Sequence, residues 1–199
     1  MSFEKSYIPY GGYWTSPYSK WQGSFANLHA LELAAETARK FFELKDIDPK
    51  VFENMYLGMT IPQIQSFYGG PWTAAMLGGE RITAPVVNQA CITGIVCTKM
   101  AALDVDAGLV DTSLVVTADR CSNGPHLIWP NPNGPGGEVI SENWNMDNFN
   151  NDPNAGFKMV QTGENVAKEI GATREEADAV ALRRYEQYVD ALKDDRAFQ

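Results

Sequence analysis

The chain contains little of what builds disulfide frameworks and metal sites: of its 199 residues, three are cysteines and two are histidines. An odd number of cysteines disfavours a disulfide framework. The spacing of Cys91, Cys97 and Cys121 does not match the paired ligands of a structural zinc site. We therefore expect reduced thiols in a reducing compartment and no bound metal.

The chain also lacks a surplus of positive charge and a long apolar run. Its 16 basic residues against 25 acidic ones give a formal net charge of −9. Binding to nucleic-acid phosphates or to an anionic membrane surface needs net positive charge, so we expect neither partner. No segment approaches the roughly 18 uninterrupted apolar residues of a membrane span. The first residues lack the basic leader and apolar core of a secretory signal, so we expect a cytoplasmic protein.

Hydrophobic periodicity predicts helices that alternate with short apolar strands. The predicted helices are 27–43, 65–77 and 92–107, and the predicted strands are 54–59, 84–88 and 113–117. Such alternation is typical of an α/β fold with a mixed, mostly parallel sheet. Segment 92–107 carries only three charged residues and is apolar nearly all round, which predicts a buried central helix.

The pattern changes in the last third of the chain. Asn, Gly and Pro recur between residues 122 and 156 without a period, which predicts a long loop without regular structure. Two helices are predicted at 159–170 and 174–193, the second opened by a capping box of Thr173 and Glu176. We therefore divide the chain into a core domain, residues 1–121, and a second domain, residues 122–199.

Cys91 is the strongest candidate for a nucleophile, because it lies between the predicted strand 84–88 and the predicted helix 92–107. Unpaired N–H groups at a helix start carry a partial positive charge of roughly half an elementary charge. That charge favours the thiolate, the form that attacks a carbonyl group. The same N–H groups can stabilise the oxyanion that the attack creates. The alternative is a structural cysteine, since cysteine is among the most frequently buried residue types.

Two motifs resemble those of the thiolases, a superfamily that includes the acetyl-CoA acetyltransferases. Residues 88–94 read Asn-Gln-Ala-Cys-Ile-Thr-Gly and are similar to the nucleophile segment of that family, Asn-x-x-Cys-x-Ser/Thr-Gly. Residues 159–165 read Met-Val-Gln-Thr-Gly-Glu-Asn, and residues 174–178 read Arg-Glu-Glu-Ala-Asp. They resemble Met-x-x-Thr-Ala-Glu-Asn and Arg-Glu-x-x-Asp of the family's loop domain. The resemblance implies the N-terminal half of a thiolase fold with part of its helical loop domain.

The resemblance also implies an activity, that of a CoA-dependent acyltransferase. Such an enzyme cleaves a β-ketoacyl-CoA by thiolysis or runs the reverse Claisen condensation. Cys91 would accept the acyl group, and its own N–H would form part of the oxyanion hole. The helices of the second domain would border the phosphates of coenzyme A, which is here a co-substrate and not a permanently bound cofactor. The candidate contacts are Met159, Lys168, Arg174, Arg183 and Arg184.

Two alternatives keep the resemblance and change the activity. A thiolase-like aldolase would cleave a β-hydroxyacyl-CoA by proton transfer, without a covalent step at Cys91. A non-catalytic subunit would bind acyl-CoA without turning it over. Alkylation of Cys91 separates the acyltransferase from the aldolase, because only the acyltransferase needs the thiol.

The chain departs from the family pattern in ways that imply a divergent member. Residues 116–122 read Val-Thr-Ala-Asp-Arg-Cys-Ser where the family has Gly-Gly-x-Glu-x-Met-Ser. The family's catalytic His, in Gly-His-Pro, and its second Cys, in Cys-x-Gly-Gly-Gly, belong to a second half that these residues do not contain. Neither His29 nor His126 lies in such a setting. We therefore expect another chain or segment to supply these groups, in a homo- or hetero-oligomer.

Aromatic side chains crowd residues 7–25, and two interpretations stay open. They would wall a pocket for a bulky or aromatic acyl group, as in a benzoylsuccinyl-CoA thiolase-like member. Alternatively they would anchor an N-terminal arm over a subunit contact, where Tyr and Trp are enriched. The resemblance to the first kind of subunit adds one expected partner, a small zinc-ribbon/OB-fold acyl-CoA-associated protein.

Overall fold

The fold is taken from a computed structural model, which describes residues 3–122 and 124–196. The chain forms two compact units, one up to Trp144 and one from Asn145 onward. The strands are β1 Asn54–Gly58, β2 Val86–Val87, β3 Ser113–Thr117, β4 His126–Pro130 and β5 Val139–Asn143. The helices are α1 Ala30–Lys45, α2 Gly69–Met76, α3 Thr93–Asp106, α4 Trp144–Asn150, α5 Met159–Ile170, α6 Arg174–Ala191 and α7 Lys193–Arg196. Within the described residues, no helix is both long enough and apolar enough to span a bilayer.

A three-stranded parallel sheet forms the centre of the first unit, with the order β2-β1-β3. In the register, Leu57 lies beside Val86 and Val116, and Gly58 beside Val87 and Thr117. β1 is the middle strand, and four of its five residues are buried. The α/β fold with a mostly parallel sheet is therefore confirmed. Because parallel strands run in one direction, the segments that follow β1, β2 and β3 leave the sheet at the same edge.

One face of the sheet carries the main hydrophobic core. Met55 and Leu57 of β1 point to this face, where Leu31 of α1 covers them, and all three side chains are completely buried. Burying an apolar side chain of this size contributes about 1.5–3 kcal/mol. Helix α1 begins at Ala30 and not at residue 27, because the side chain of His29 accepts a hydrogen bond from the N–H of Leu31 and caps the helix.

Helix α3 packs on the other face of the sheet, and its approach depends on a glycine. A Cβ atom on Gly58 would lie 2.8 Å from Thr117 Cγ2, 2.9 Å from Thr93 Cγ2 and 3.2 Å from Cys97 Sγ. Only the hydrogen of a glycine fits there. The predicted buried central helix is buried on one side: its buried residues are Thr93, Cys97 and Ala101, whereas Ile95 is 73% exposed. In this chain the sheet covers one side of α3 only.

Residues 122–156 contain regular structure, which corrects the prediction of a long loop without any. Strands β4 and β5 pair as an antiparallel hairpin, with His126 opposite Asn143 and Pro130 opposite Val139. The indole N–H of Trp129 donates to Glu142 across the hairpin at 2.7 Å. The Asn, Gly and Pro residues that favour a loop are concentrated in the connection between the two strands. Cross-strand side-chain pairs stabilise the strands on either side of it.

The second unit contains the two helices that the sequence predicts near the end of the chain. α5 has the predicted bounds, and α6 ends two residues earlier than predicted. The capping box is confirmed: the N–H of Glu176 donates to Thr173 Oγ1 at 3.2 Å, and Glu176 Oε2 accepts from the N–H of Thr173 at 2.8 Å. Gly171 ends α5 in the left-handed conformation that glycine adopts without strain.

The N-terminal segment runs along the first unit as an arm with separate anchor points. The carboxylate of Asp106, the last residue of α3, accepts hydrogen bonds from three consecutive N–H groups, those of residues 4–6. Trp14 stacks on Phe41 of α1, with ring centroids 4.8 Å apart. Nearer the sheet, the N–H of Gln22 donates to Ser122 Oγ at 2.8 Å. The ring that anchors the arm is therefore that of Trp14. The tyrosines of the arm are exposed, so the acyl pocket and the subunit contact both stay predictions for this segment.

Candidate functional site

The segments that follow β1, β2 and β3 form the candidate site at the carboxyl edge of the sheet. Cys91 lies in a single helical turn, Ala90–Ile92, directly before α3, and its side chain is exposed. Residues at the ends of neighbouring parallel strands come together even when they are far apart in sequence. The structure thus places Cys91 at a strand-to-helix junction that a ligand can reach.

Side chains hold the turn of Cys91 in an unusual conformation. Ala90 has a φ of +46°, a left-handed value that costs a residue with a Cβ atom about 1 kcal/mol or more. Asn88 Oδ1 accepts from the N–H of Ala90 at 3.1 Å. Thr93 Oγ1 accepts from the N–H of Gln89 at 2.8 Å and donates to the carbonyl of Ala90 at 2.7 Å. These bonds compensate the strain, so the motif residues 88 and 93 build the turn that presents Cys91.

The hydrogen bonds of this turn leave one donor beside the thiol. The N–H groups of Gln89, Ala90 and Ile92 donate to Thr93, Asn88 and the Gln89 carbonyl. Within residues 3–122 and 124–196, no hydrogen-bond acceptor is found for the N–H of Cys91. A carbonyl oxygen of a ligand bound at the thiol can accept from this N–H, as an oxyanion hole requires.

Thr60, which follows β1, links the turn of Cys91 to the segment after β3. Its hydroxyl lies 3.4 Å from the carbonyl oxygen of Ala90 and 3.4 Å from Thr93 Oγ1. Its N–H and that of Ile61 both donate to Asp119 Oδ1, each at 2.8 Å. The carbonyl of Thr60 accepts from the indole N–H of Trp144 at 3.1 Å. Thr60 therefore connects three segments at the carboxyl edge of the sheet.

Asp119 shapes the electrostatics of this edge. Burial raises the pKa of its carboxyl group, and hydrogen bonds from the N–H groups of Ile61 and Thr60 and from the side chain of Thr60 oppose part of that rise. Burial and, after it, the negative charge of Asp119 raise the pKa of the Cys121 thiol. At neutral pH these effects disfavour a thiolate at Cys121.

The remaining cysteine and the histidines have structural surroundings. Cys97 is completely buried under β1, and burial raises the pKa of its thiol, as expected for a core residue. His29 caps α1, and its Nε2 lies 2.8 Å from the carbonyl of Ile64. His126 lies in β4 with its Nε2 3.3 Å from Asn143 Nδ2. Among the described residues, no hydrogen bond joins either histidine to Cys91.

The five candidate CoA contacts lie in the second unit, whereas Cys91 belongs to the first. All five are exposed: Met159, Lys168, Arg174, Arg183 and Arg184. Arg174 pairs with Asp178 at 2.8 Å, and Arg184 donates to Gln187 at 2.9 Å. Contact of these residues with coenzyme A stays a prediction. In the part of the chain that the structure describes, no group of three or more His, Cys, Asp or Glu side chains could hold a metal ion.

A comparison with known families shows which family the chain belongs to. A family model described as the thiolase N-terminal domain matches residues 13–199. The chain belongs to the thiolase family. The family prediction made from residues 88–94 and 159–178 is thereby confirmed.

Known thiolases resemble the chain over most of its length. The acetyl-CoA acetyltransferase of Paracoccus denitrificans is 29% identical over 175 residues, which are 84% of this chain and 43% of that protein. The crystal structure of the Bacillus anthracis acetyl-CoA acetyltransferase superposes with a TM-score of 0.78 at 20% identity, over 88% of this chain and 45% of that one. The structure of human mitochondrial 3-ketoacyl-CoA thiolase in complex with CoA superposes with a TM-score of 0.77 at 17% identity, over 88% of this chain and 45% of that one. The chain spans less than half the length of these thiolases.

Two residues of this thiolase site are missing from the sequence-based candidates. Thr60 follows β1 in a segment that carries no motif, and nothing in the sequence signals it. Asp119 belongs to the segment 116–122, which departs from the family pattern, and it stands where that pattern has its Glu. A carboxylate at a fixed position after a core strand is the signal that could have selected it.

Proposed function

We propose that the chain is the N-terminal half of a CoA-dependent acyltransferase of thiolase type. It acts on a β-ketoacyl-CoA, by thiolysis or in the reverse Claisen condensation, through an acyl group on Cys91. The single observation that carries the proposal is an exposed thiol at a strand-to-helix junction, beside a backbone N–H that lacks an acceptor within the described residues. Membership of the thiolase family supports it.

In the thiolysis direction, the thiolate of Cys91 attacks the β-keto carbonyl. The carbonyl oxygen becomes an oxyanion, and the N–H of Cys91 is placed to donate to it. The bond between the α and β carbons then breaks and the shortened acyl chain stays on Cys91. The α carbon takes up a proton and leaves as part of the first acyl-CoA, which keeps the original CoA thioester. The thiol of a free coenzyme A attacks the acyl-cysteine, gives up its proton and releases the second acyl-CoA.

The proton carriers come from another chain or segment. Each half of the reaction needs a group that moves a proton near Cys91. Among the described residues, neither His29 nor His126 is hydrogen bonded to Cys91. We therefore include in the proposal a homo- or hetero-oligomer that contributes a His and a second Cys. A zinc-ribbon/OB-fold subunit, a bulky or aromatic acyl group and a cytoplasmic location are further parts of it.

The contacts with coenzyme A are assigned to the second unit. Met159 begins α5, and the cationic side chains of Lys168, Arg174, Arg183 and Arg184 are exposed and suited to phosphate groups. The CoA complex of the human thiolase, which has the same fold, supports a site for this co-substrate.

Replacement of single cysteines tests the proposal. The complete assembly, with the polypeptide that carries the second half, is assayed for thiolysis with Cys91→Ser and, as matched control, Cys121→Ser. We expect Cys91→Ser to lose activity and Cys121→Ser to retain it, because Cys91 has an exposed thiol at the helix start beside an N–H for which the described residues provide no acceptor. Full activity of Cys91→Ser would contradict the proposal and favour an aldolase or a binding role.

A further inference from the structure

We propose that Asp119 is a positioning residue for Cys91 and that it acts through Thr60. One carboxylate oxygen of Asp119 fixes the turn that follows β1, and the hydroxyl of Thr60 in that turn supports the residue before Cys91. This proposal rests on the proposed function of Cys91 as the acyl acceptor. It adds a role for a carboxylate that makes no hydrogen bond to the thiol in the described residues.

Two backbone N–H groups of the turn donate to one atom of Asp119, and the side chain of Thr60 also interacts with this carboxylate. Asp119 Oδ1 accepts from the N–H of Thr60 and from the N–H of Ile61, each at 2.8 Å. Two such bonds fix both the place and the orientation of the turn. A hydrogen bond from a backbone N–H to a carboxylate is roughly twice as strong as one between neutral groups. The position of the turn is therefore tied to the position of Asp119.

The contact between the turn and the nucleophile segment is sensitive to small shifts. Thr60 Oγ1 lies 3.4 Å from the carbonyl oxygen of Ala90 and 3.4 Å from Thr93 Oγ1, near the limit of hydrogen bonding. A further displacement of Thr60 by a few tenths of an ångström would break both contacts. Ala90 has an unfavourable φ of +46°, and Thr60 adds a second side-chain contact at its carbonyl to the 2.7 Å bond from Thr93 Oγ1. Loss of the contact therefore loosens the residue that immediately precedes Cys91.

The third contact of Thr60 does not replace Asp119. Its carbonyl accepts from the indole of Trp144 at 3.1 Å, which holds the turn from the side of the hairpin. The bond from Trp144 is made to the carbonyl group of Thr60 and does not fix the position of its N–H group. Asp119 is the group that fixes the N–H side of Thr60, and with it the place of a hydroxyl that lies between Asp119 and Ala90.

The geometry separates the contact of Asp119 from its charge. Because both N–H groups donate to the same oxygen, Asp119→Asn retains their acceptor at Oδ1, while it removes the charge and replaces Oδ2 with an amide donor. Asp119→Ala removes both the acceptor and the charge. Loss of the negative charge lowers the pKa of Cys121 in either variant, since Asp119 contributes to raising it. The rate at which Cys121 is labelled thus reports the charge at position 119. The rate at which Cys91 is labelled reports the position of the Cys91 turn.

Kinetics of the complete assembly test the proposal with four variants. We expect Asp119→Ala to lower kcat by about tenfold or more with little change in KM, since misplacing a reacting group by a fraction of an ångström slows chemistry and not binding. Asp119→Asn retains kcat. Thr60→Val, which removes the hydroxyl, lowers kcat as Asp119→Ala does, and Thr60→Ser retains it. Asp111→Ala, on an exposed aspartate before β3, is the matched control with unchanged kcat.

Three results would overturn the inference. They are a normal kcat in Asp119→Ala, an equal loss in Asp119→Asn, and a normal kcat in Thr60→Val. If Asp119→Ala fails to fold by circular dichroism, the pair Thr60→Val and Thr60→Ser decides alone. Iodoacetamide labelling of Cys91, read by peptide mass, needs no turnover. Activity that survives Cys91→Ser would end the proposed function, whereas a changed labelling rate in Asp119→Ala would still support the positioning role.

Discussion

Gly58 sets the distance between the central strand and the helix that follows Cys91, so Gly58→Ala is an informative perturbation. The added Cβ would lie 2.8 Å from Thr117 Cγ2, 2.9 Å from Thr93 Cγ2 and 3.2 Å from Cys97 Sγ. Favourable contacts between carbon atoms are about 3.5–4.0 Å. Because β1 is paired on both sides, the strand cannot yield, so the side chain of Thr117 on β3 must turn aside and α3, which carries Thr93 and Cys97, must move away.

The expected cost follows from the overpacking of a rigid core. Added methyl groups in well-packed sites destabilise proteins by about 1–3 kcal/mol. For a protein of this size the melting temperature falls by about 2–4 °C per kcal/mol, so Gly58→Ala lowers it by about 2–12 °C. The shift of α3 also moves Thr93, whose hydroxyl holds the carbonyl of Ala90. We therefore expect slower alkylation of Cys91 in the folded variant.

Gly94→Ala on the same helix is the matched control. Its Cβ would lie 3.6 Å from Thr117 Cγ2, an ordinary van der Waals contact. Replacing a helical glycine by alanine stabilises by up to about 1 kcal/mol. Thermal unfolding followed by circular dichroism should therefore change in opposite directions for the two variants. An unchanged or raised melting temperature in Gly58→Ala would refute the account of how α3 packs.

Three further predictions concern other parts of the chain. Ala90→Val costs about 1 kcal/mol or more in urea unfolding, because a β-branched residue tolerates positive φ poorly, whereas Ala90→Gly does not. Burial raises the pKa of Asp106, but the hydrogen bonds from residues 4–6 lower it by more, so its pKa lies below the ordinary carboxyl value. The contact of Asp106 with the N-terminal arm is therefore complete above the ordinary carboxyl pKa. That contact disappears as the pH falls through the lowered value, and limited proteolysis of the arm in a series of decreasing pH from neutral checks this. Thr173→Ala destabilises α6 by about 1 kcal/mol in amide hydrogen exchange, and Glu175→Ala does not.

The core elements were predictable because their signals are local. The apolar run 113–117 coincides with β3, and the capping box at Thr173 marks the start of α6. Helix α1 begins three residues later than predicted, since its cap is His29, a residue type outside the preferred caps. The exposure of Ile95 was not predictable, because periodicity reports how apolar a helix is and not how many of its sides are covered within this chain.

The hairpin and the contacts of the site required the three-dimensional structure. The Asn, Gly and Pro residues that favour a loop surround β4 and β5 in the sequence, and the pairing of the two short strands becomes visible only in the structure. The position of Cys91 was predictable from the residues around it, since a strand, a motif and a helix follow one another directly. The bond between Asp119 and Thr60 joins residues 59 positions apart, and no period or motif connects them.

The most direct test of the central claim is the mass of the Cys91 peptide during turnover. The complete assembly is incubated with acyl-CoA, quenched in acid and digested with trypsin. Cleavage after Arg81 and Lys99 gives a peptide that contains both Cys91 and Cys97, so fragment ions must locate the modification. We predict an acyl group on Cys91, absent from Cys97 and removed when free coenzyme A is added. Continued turnover with no acyl group on Cys91 would contradict the account.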